Sequence, residues 1–182
     1  MPSQLKSTSA LIVIDMLNDF IAKGSPLEVP RARRIIPRLK KRIARAHREG
    51  MPIIYLCDKH RKDDPEFSIW PKHAVNGTPG SEIINELKPR SRDYIVDKTT
   101  YSGFYRTKLE KLLKKLGTKK IIITGVLTEV CVLYTAVDAF MRGYQVEVPT
   151  DCVAGLDSAG HRFSLTQIKR ILKPYHGKLC TI

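Results

Sequence analysis

Short apolar segments alternate with amphipathic segments along this 182-residue chain, and this alternation restricts the possible folds more than any other feature. The apolar segments lie at residues 10–14, 52–56, 94–96, 120–124 and 144–148, with a weaker sixth at residues 178–181. They lack the polar–apolar alternation of a half-exposed strand, so each is predicted to be a strand covered on both faces. Such strands separated by helices indicate an α/β fold with a doubly wound parallel sheet of about six strands.

Helices are predicted in the segments between the strands. They span residues 105–116, 128–142 and 161–172, and a strongly basic helix lies within residues 30–50. Gly50, Gly117 and Gly143 follow three of these helices, a position that glycine commonly takes. The length allows one well-buried core but not two ordinary domains, so we expect a single domain over residues 1–182.

The net charge of +14 raises the possibility of a nucleic-acid partner. Much of this charge lies in the basic helix, where apolar residues recur at helical spacing and leave the Arg and Lys side chains on the outer face. No nucleic-acid-binding motif accompanies them. We therefore expect no nucleic-acid partner, and a basic scaffold or nucleic-acid-binding protein on the same fold remains the non-enzymatic alternative.

The sequence contains neither a membrane-length apolar run nor an N-terminal signal-peptide pattern, so we expect a cytoplasmic protein without a membrane partner. The four cysteines are far apart and include no CxxC pair. They are Cys57, Cys131, Cys152 and Cys180. This spacing favours reduced thiols over a disulfide framework.

Polar side chains follow the ends of four predicted strands. Asp15 follows the first, Asp58 and His60 the second, Lys98 the third and Cys131 the fourth. Each of these alone is more often structural, and a cysteine here is commonly a small core residue. However, the carboxyl ends of parallel strands form the ligand crevice of an open α/β sheet. The agreement among these positions therefore predicts an active site.

Cys131, Lys98 and Asp15 form a chemically coherent set. Cys131 is predicted in the first helical turn, where the helix dipole lowers the pKa of a thiol and makes it a nucleophile. Asp15 would take the thiol proton and Lys98 would stabilise the thiolate. The backbone N–H groups of Leu127 and Cys131 would face the developing oxyanion.

A second set of residues has the composition of a metal site. Asp58, His60 and His73 provide one carboxylate and two imidazoles, a common set of ligands for Zn²⁺ or Fe²⁺, and Glu66 is a possible fourth ligand. We therefore predict a divalent metal, Zn or Fe, and a loop without metal remains the alternative.

Four segments together resemble the isochorismatase-like cysteine hydrolases, and within them most closely nicotinamidase/pyrazinamidase. ALIVIDMLNDF is similar to the opening segment with the catalytic Asp, DKTTYSGF to the segment with the catalytic Lys, and GVLTEVCVLYTAVDAFMRGY to the segment with the nucleophile. WPKHAVNGTPGSE, preceded by Asp58-x-His60, resembles the nicotinamidase metal region. Leu17 and Ala74 stand where the family motifs usually have Gln and Cys. These differences leave the triad unchanged, but the resemblance defines the substrate less closely than it defines the triad.

The resemblance implies strand order 3-2-1-4-5-6, an Asp15–Lys98–Cys131 triad and a metal held by Asp58, His60 and His73. It also implies a cis peptide at Val126–Leu127 that directs the Leu127 N–H into the oxyanion hole. The substrate ring is expected to lie among Phe20, Trp70 and Tyr101.

The activity implied is hydrolysis of nicotinamide to nicotinate and ammonia through a Cys131 thioester. A ureido or N-carbamoyl compound is the alternative substrate class. Isochorismatases proper need no cysteine nucleophile, so Cys131 argues against that branch. We expect a small-molecule amide as the binding partner, and a homo-oligomeric assembly.

Overall fold

A computed structural model describes residues 8–172. Its strands are β1 (Ser9–Ile14), β2 (Ile53–Asp58), β3 (Tyr94–Lys98), β4 (Lys120–Val126), β5 (Gln145–Glu147) and β6 (Val153–Ala154). All pairings between these strands are parallel, and five of them follow the order β3-β2-β1-β4-β5. The predicted parallel α/β sheet and the order of its first five strands are thus confirmed.

The sixth strand differs from the one expected. The two-residue β6 pairs with Gly125 and Val126 at the end of β4. It is too short to produce a recognisable pattern in the sequence. The strand predicted at residues 178–181 lies outside the described residues.

The α-helices of the described region are α1 (Asn18–Ile21), α2 (Ala32–Arg48), α3 (Leu109–Lys115), α4 (Leu133–Met141) and α5 (Ser158–Ile171). Single 3₁₀ turns lie at Pro65–Ser68, Pro79–Ser81, Asn85–Leu87 and Thr150–Cys152, and a π-helical turn at Thr128–Val132 precedes α4. No helix among residues 8–172 combines the length and apolarity that crossing a membrane requires.

Helix α3 begins four residues later than the periodicity predicts. Arg106 has a positive φ of 53°, which ends any helical run that starts at Tyr105. The Thr107 hydroxyl then accepts a hydrogen bond from the Leu109 N–H at 3.1 Å and provides a new helix start. The backbone turn at Arg106 and this local hydrogen bond override the apolar spacing.

Two apolar layers enclose the sheet. Leu11, Val13 and Tyr55 pack in the layer that contains α2, whereas Ile12 and Ile54 belong to the layer that contains α3 and α4. Neighbouring residues of one strand thus face opposite layers, which explains why these strands lack polar positions. Helix α2 buries its predicted apolar stripe and exposes most of its basic side chains.

Candidate active site

The Lys98 ammonium lies at the centre of the site, at the last residue of β3. Its Nζ lies 2.8 Å from Oδ2 of Asp15, 2.5 Å from Oδ1 of Asp58 and 3.4 Å from Sγ of Cys131. All four side chains are buried. The structure therefore brings together the three residues predicted as a triad, and it adds Asp58 as a second anion beside the lysine.

Asp15 follows β1 directly and is fixed by two contacts with β2. Its N–H donates to the Leu56 carbonyl at 2.9 Å, and its Oδ1 accepts from the Asp58 N–H at 2.7 Å. Burial and the negative charge of Asp58 raise the pKa of Asp15 to about 6, against the opposing effect of Lys98. Asp15 is therefore mostly ionised at neutral pH and able to accept a proton.

The turn that carries Cys131 begins at the end of β4. Gly125 has φ of 105°, and a Cβ at this position would lie 2.0 Å from the Ile14 carbonyl oxygen, so glycine is required for the close approach of β1. The Val126–Leu127 peptide is cis, as the resemblance implied. The Val132 N–H then donates to the Leu127 carbonyl at 3.0 Å and closes the π-helical turn around Cys131.

The expected lowering of the Cys131 pKa is wrong for this structure. Burial raises the pKa of the Cys131 thiol well above its usual value, and the nearby Lys98 ammonium offsets this only in part. The sequence places the thiol near a helix start but does not reveal how completely the site is closed. At neutral pH Cys131 thus retains its proton until a base removes it.

Asp58, His60 and His73 bring together side-chain atoms that could hold a metal ion. One atom from each residue lies within 4.8 Å of the other two, and Glu66 is not part of this group. His60 Nε2 lies 3.8 Å from Asp58 Oδ1, and His73 Nε2 lies 3.8 Å from Asp58 Oδ2. The three predicted ligands therefore converge, whereas the possible fourth ligand does not join them.

The hydrogen bonds around the two histidines suit a divalent cation. His73 Nδ1–H donates to the Pro71 carbonyl at 2.7 Å, which leaves the Nε2 lone pair free on the side of Asp58. His60 Nδ1 lies 3.1 Å from the Asp64 carboxylate as an ion-pair contact, and within residues 8–172 neither buried ring nitrogen of His60 has a hydrogen-bond partner. Metal-binding histidines usually have such outer partners, so the residues present fit Zn²⁺ or Fe²⁺.

The charge of these carboxylates also favours a cation here. Burial alone would lower the pKa of His60, but its contacts with Asp58 and Asp64 outweigh burial and raise that pKa to about 9. The Asp58 and Asp64 carboxylates thus favour a positive charge at the His60 imidazole, and either a proton or a metal ion can supply it.

The loop that carries His73 is held near His60 by backbone and side-chain contacts. The His60 N–H donates to the Ala74 carbonyl at 3.0 Å, and the Ala74 N–H donates to the Asp19 carboxylate at 2.8 Å. Ala74 has a positive φ of 46°. The anchoring role of Asp19 was not apparent from the sequence, since its partner lies 55 residues away.

Aromatic rings surround the histidines. The Phe20 ring lies 5.3 Å from the His73 ring, and Phe67 contacts both His60 and His73 at 5.4 and 5.8 Å. Trp70 Nε1–H donates to the Tyr101 hydroxyl at 3.1 Å. The structure thus places Phe20 beside the metal-ligating group and joins Trp70 to Tyr101, while their predicted contact with substrate stays a prediction.

Phe67 and Asp64 were missed by the sequence reasoning. Asp64 lies four residues after His60 and caps the Pro65–Ser68 turn by accepting from the Glu66 N–H at 3.0 Å. An Asp-Pro pair is a recognisable signal for such a turn. No sequence signal indicated that Phe67 would contact both imidazoles.

The Isochorismatase domain family matches residues 9–181 of the chain. An isochorismatase-like hydrolase from Alkaliphilus metalliredigens is 40% identical, with 90% of this chain and 91% of that chain covered and a TM-score of 0.87. N-carbamoylsarcosine amidase from Thermoplasma acidophilum is 36% identical, with coverages of 90% and 92% and a TM-score of 0.82. The pyrazinamidase of Pyrococcus horikoshii, solved in complex with zinc, is 34% identical, with coverages of 90% and 95% and a TM-score of 0.85. The chain therefore belongs to the isochorismatase family of hydrolases.

Proposed function

We propose that the protein is a metal-containing cysteine amidohydrolase that converts nicotinamide and water to nicotinate and ammonia. The observation that carries this proposal is the position of the Lys98 ammonium, 2.8 Å from the Asp15 carboxylate and 3.4 Å from the Cys131 sulfur. A thiol, a carboxylate base and a cation in one buried site are the components of nucleophilic amide cleavage.

In the first half of the reaction, Cys131 Sγ attacks the carboxamide carbon and Asp15 takes the thiol proton. Asp15 suits this role because its pKa of about 6 leaves it ionised at neutral pH, and a carboxylate oxygen of Asp15 lies within 4.8 Å of the sulfur. Lys98 stabilises the negative charge that develops on the sulfur. The tetrahedral intermediate then expels ammonia, which leaves with the proton that Asp15 returns.

In the second half, water attacks the thioester carbon and Asp15 takes one proton from that water. Collapse of the second tetrahedral intermediate breaks the carbon–sulfur bond and returns the proton to Cys131. The products are nicotinate and the free enzyme. In both halves the Leu127 and Cys131 N–H groups donate to the oxyanion, a contribution of roughly 3–4 kcal/mol per donor in comparable sites.

Asp58, His60 and His73 would hold the divalent cation, Zn or Fe. When bound, the cation supplies a Lewis-acidic position that accepts the ring nitrogen of the substrate. Phe20, Trp70 and Tyr101 would enclose the ring and exclude water from the thioester. Support for this arrangement comes from the convergence of the three ligands and from the zinc complex of the Pyrococcus pyrazinamidase.

A ureido or N-carbamoyl compound is the second candidate substrate. The 36% identity to N-carbamoylsarcosine amidase favours it, since that relative is as similar to this chain as the pyrazinamidase. Both reactions need the same cysteine, base and cation. The two substrate classes differ in the group bonded to the carbonyl carbon that Cys131 attacks. The metal site and the aromatic rings would select between these groups.

An ammonia-release assay with a panel of amides tests these proposals. We expect the zinc-loaded protein to hydrolyse nicotinamide and pyrazinamide with kcat/KM at least 100-fold above that for N-carbamoyl amino acids and ureidoacrylate. The reverse ranking would replace nicotinamide by the second substrate class. Absence of ammonia release from every member of the panel would overturn the assignment as an amidohydrolase.

A further inference from the structure

The loop after Lys98 packs on α4, the helix that follows the π-helical turn with Cys131. Thr135, Asp138 and the C-cap residue Arg142 recur at spacings of three and four residues, so these positions share one side of α4. Ser102, Gly103 and Phe104 contact this side. The segment that follows the candidate cation thus contacts the helix that follows the candidate nucleophile.

Two hydrogen bonds fix this contact. The Gly103 N–H donates to the Thr135 hydroxyl at 3.0 Å, and the Ser102 hydroxyl donates to Oδ2 of Asp138 at 2.6 Å. Ser102 Oγ also accepts from the Phe104 N–H at 3.2 Å, so its orientation is set from both sides. A Cβ at Gly103 would lie 2.2 Å from Leu56 Cδ2, which shows how closely the loop also packs on β2.

The second oxygen of Asp138 binds Arg142. Arg142 in turn contacts Glu110 Oε2 through Nε at 3.2 Å and lies over the Phe104 ring at 5.0 Å. These outer contacts are partly exposed, whereas the Asp138–Ser102 bond faces the loop. Exposed ion pairs contribute little, so the bond from Ser102 to Asp138 and the buried bond from Gly103 to Thr135 are the contacts that hold the loop.

We propose that Asp138 is a positioning residue that, through Ser102, fixes the loop after Lys98 and so sets the distance between Lys98 Nζ and Cys131 Sγ. Ser102 lies four residues after Lys98, and Asp138 lies on α4, seven residues after Cys131. Their hydrogen bond therefore links the loop that follows Lys98 to the helix that follows Cys131. This inference rests on the proposed function, in which Lys98 stabilises the charge on the sulfur.

The test compares variants that lose the bond with variants that keep it. Ser102→Ala and Asp138→Ala remove the donor or the acceptor. Three control variants keep both a hydroxyl donor at position 102 and an oxygen acceptor at position 138: Ser102→Thr, Asp138→Asn and Arg142→Gln. Of these, Asp138→Asn and Arg142→Gln also remove the ion pair between Asp138 and Arg142. We expect the first two variants to lower kcat about 10- to 100-fold with KM within twofold, and the other three to stay within threefold of the parent.

A second readout does not depend on the substrate. The rate of Cys131 alkylation by iodoacetamide at pH 7.5, followed by mass spectrometry of the Cys131 peptide, reports the stabilisation of the thiolate by Lys98. We expect it to fall at least fivefold in Ser102→Ala and Asp138→Ala, with the double variant no slower than the slower single variant.

Parent-like alkylation in Ser102→Ala would overturn the inference even if nicotinamide proves to be the substrate. Equal losses of kcat in Ser102→Ala and Arg142→Gln would overturn it as well. Ser102→Ala removes only a hydroxyl from a half-buried position, so we expect this variant to fold. It therefore tests the inference even if Asp138→Ala does not fold. Slowed alkylation without nicotinamide turnover would support the positioning role and reject only the substrate.

Discussion

Oδ1 of Asp58 lies 2.5 Å from Nζ of Lys98, so the carboxylate that joins His60 and His73 also binds the lysine beside Cys131. Burial alone would raise the pKa of Asp58, but Lys98 and the two histidines outweigh it and hold that pKa below its usual range. The contact between Asp58 and Lys98 therefore joins the candidate metal-binding group to the triad. A change at Asp58 or Lys98 should alter both.

Replacing Cys131 by alanine should abolish ammonia release and leave the fold unchanged. The sulfur is the proposed nucleophile, and among the three free cysteines of the described residues Cys131 is the one whose sulfur contacts Lys98. Initial rates with nicotinamide, together with circular dichroism and thermal unfolding, provide the measurement. Cys152→Ala is the matched control, because Cys152 is also buried but lies in the Thr150–Cys152 turn, and it should retain activity. Turnover by Cys131→Ala at the parental rate would rule out the mechanism.

Replacing Lys98 by methionine should remove activity and also destabilise the protein. The substitution leaves the Asp15 and Asp58 carboxylates buried without their shared cation, which typically costs about 3–5 kcal/mol of unfolding free energy. Urea unfolding at pH 7.5 measures the loss. The double variant Lys98→Met/Asp58→Asn should recover part of the stability, because it removes one of the two buried charges, but it should stay inactive. A Lys98→Met protein as stable as the parent would contradict the proposed electrostatic role.

Activity should decline as the pH falls through about 6. Asp15 accepts the thiol proton only when ionised, and burial together with Asp58 raises its pKa to about 6. Below that value the ionised fraction of Asp15, and with it kcat/KM, falls about tenfold per pH unit, whereas Asp15 is mostly ionised at pH 7 and above. Initial rates between pH 4.5 and 8 give this profile, and circular dichroism at each pH checks that the fold persists. An acidic limb centred near pH 4, the ordinary range for a carboxyl, would argue against Asp15 as the base.

The positions of the triad could be predicted because a parallel sheet brings the carboxyl ends of its strands to one edge. Asp15, Lys98 and Cys131 each follow or end a strand whose apolar composition is clear in the sequence. The same argument located Asp58, the last residue of β2. That these side chains lie close together could therefore be inferred from the sequence, although their distances could not, and their catalytic roles stay a prediction.

Burial and long-range contacts could not be predicted in the same way. The predicted lowering of the Cys131 pKa was wrong because a position near a helix start does not reveal how completely the thiol is buried. Phe67 and Asp19 were missed because their partners are brought near by tertiary packing. Helix α3 starts later than predicted because the positive φ of Arg106 interrupts the apolar periodic run and the Thr107 hydroxyl binds the Leu109 N–H.

The purified protein should bind about one zinc ion per chain, and His60→Ala or His73→Ala should abolish tight binding. Each substitution removes one of the three atoms that lie within 4.8 Å of one another. Equilibrium dialysis against zinc with elemental analysis measures the stoichiometry without reference to activity. Asp64→Asn should lower the affinity about 10- to 100-fold, because the Asp64 carboxylate lies 3.1 Å from His60 Nδ1 and orients the ring.

Two control variants sharpen this prediction. His161→Ala removes an imidazole that contacts the Thr128 hydroxyl and lies outside the Asp58–His60–His73 group, so zinc binding should be unchanged. Glu66→Gln should also retain one zinc ion, because Glu66 does not converge with the other donors. If Glu66→Gln lost the metal, the ligand set would include a fourth residue that moves on binding. If His73→Ala kept one zinc ion per chain at parental affinity, the assignment of the metal site would be wrong.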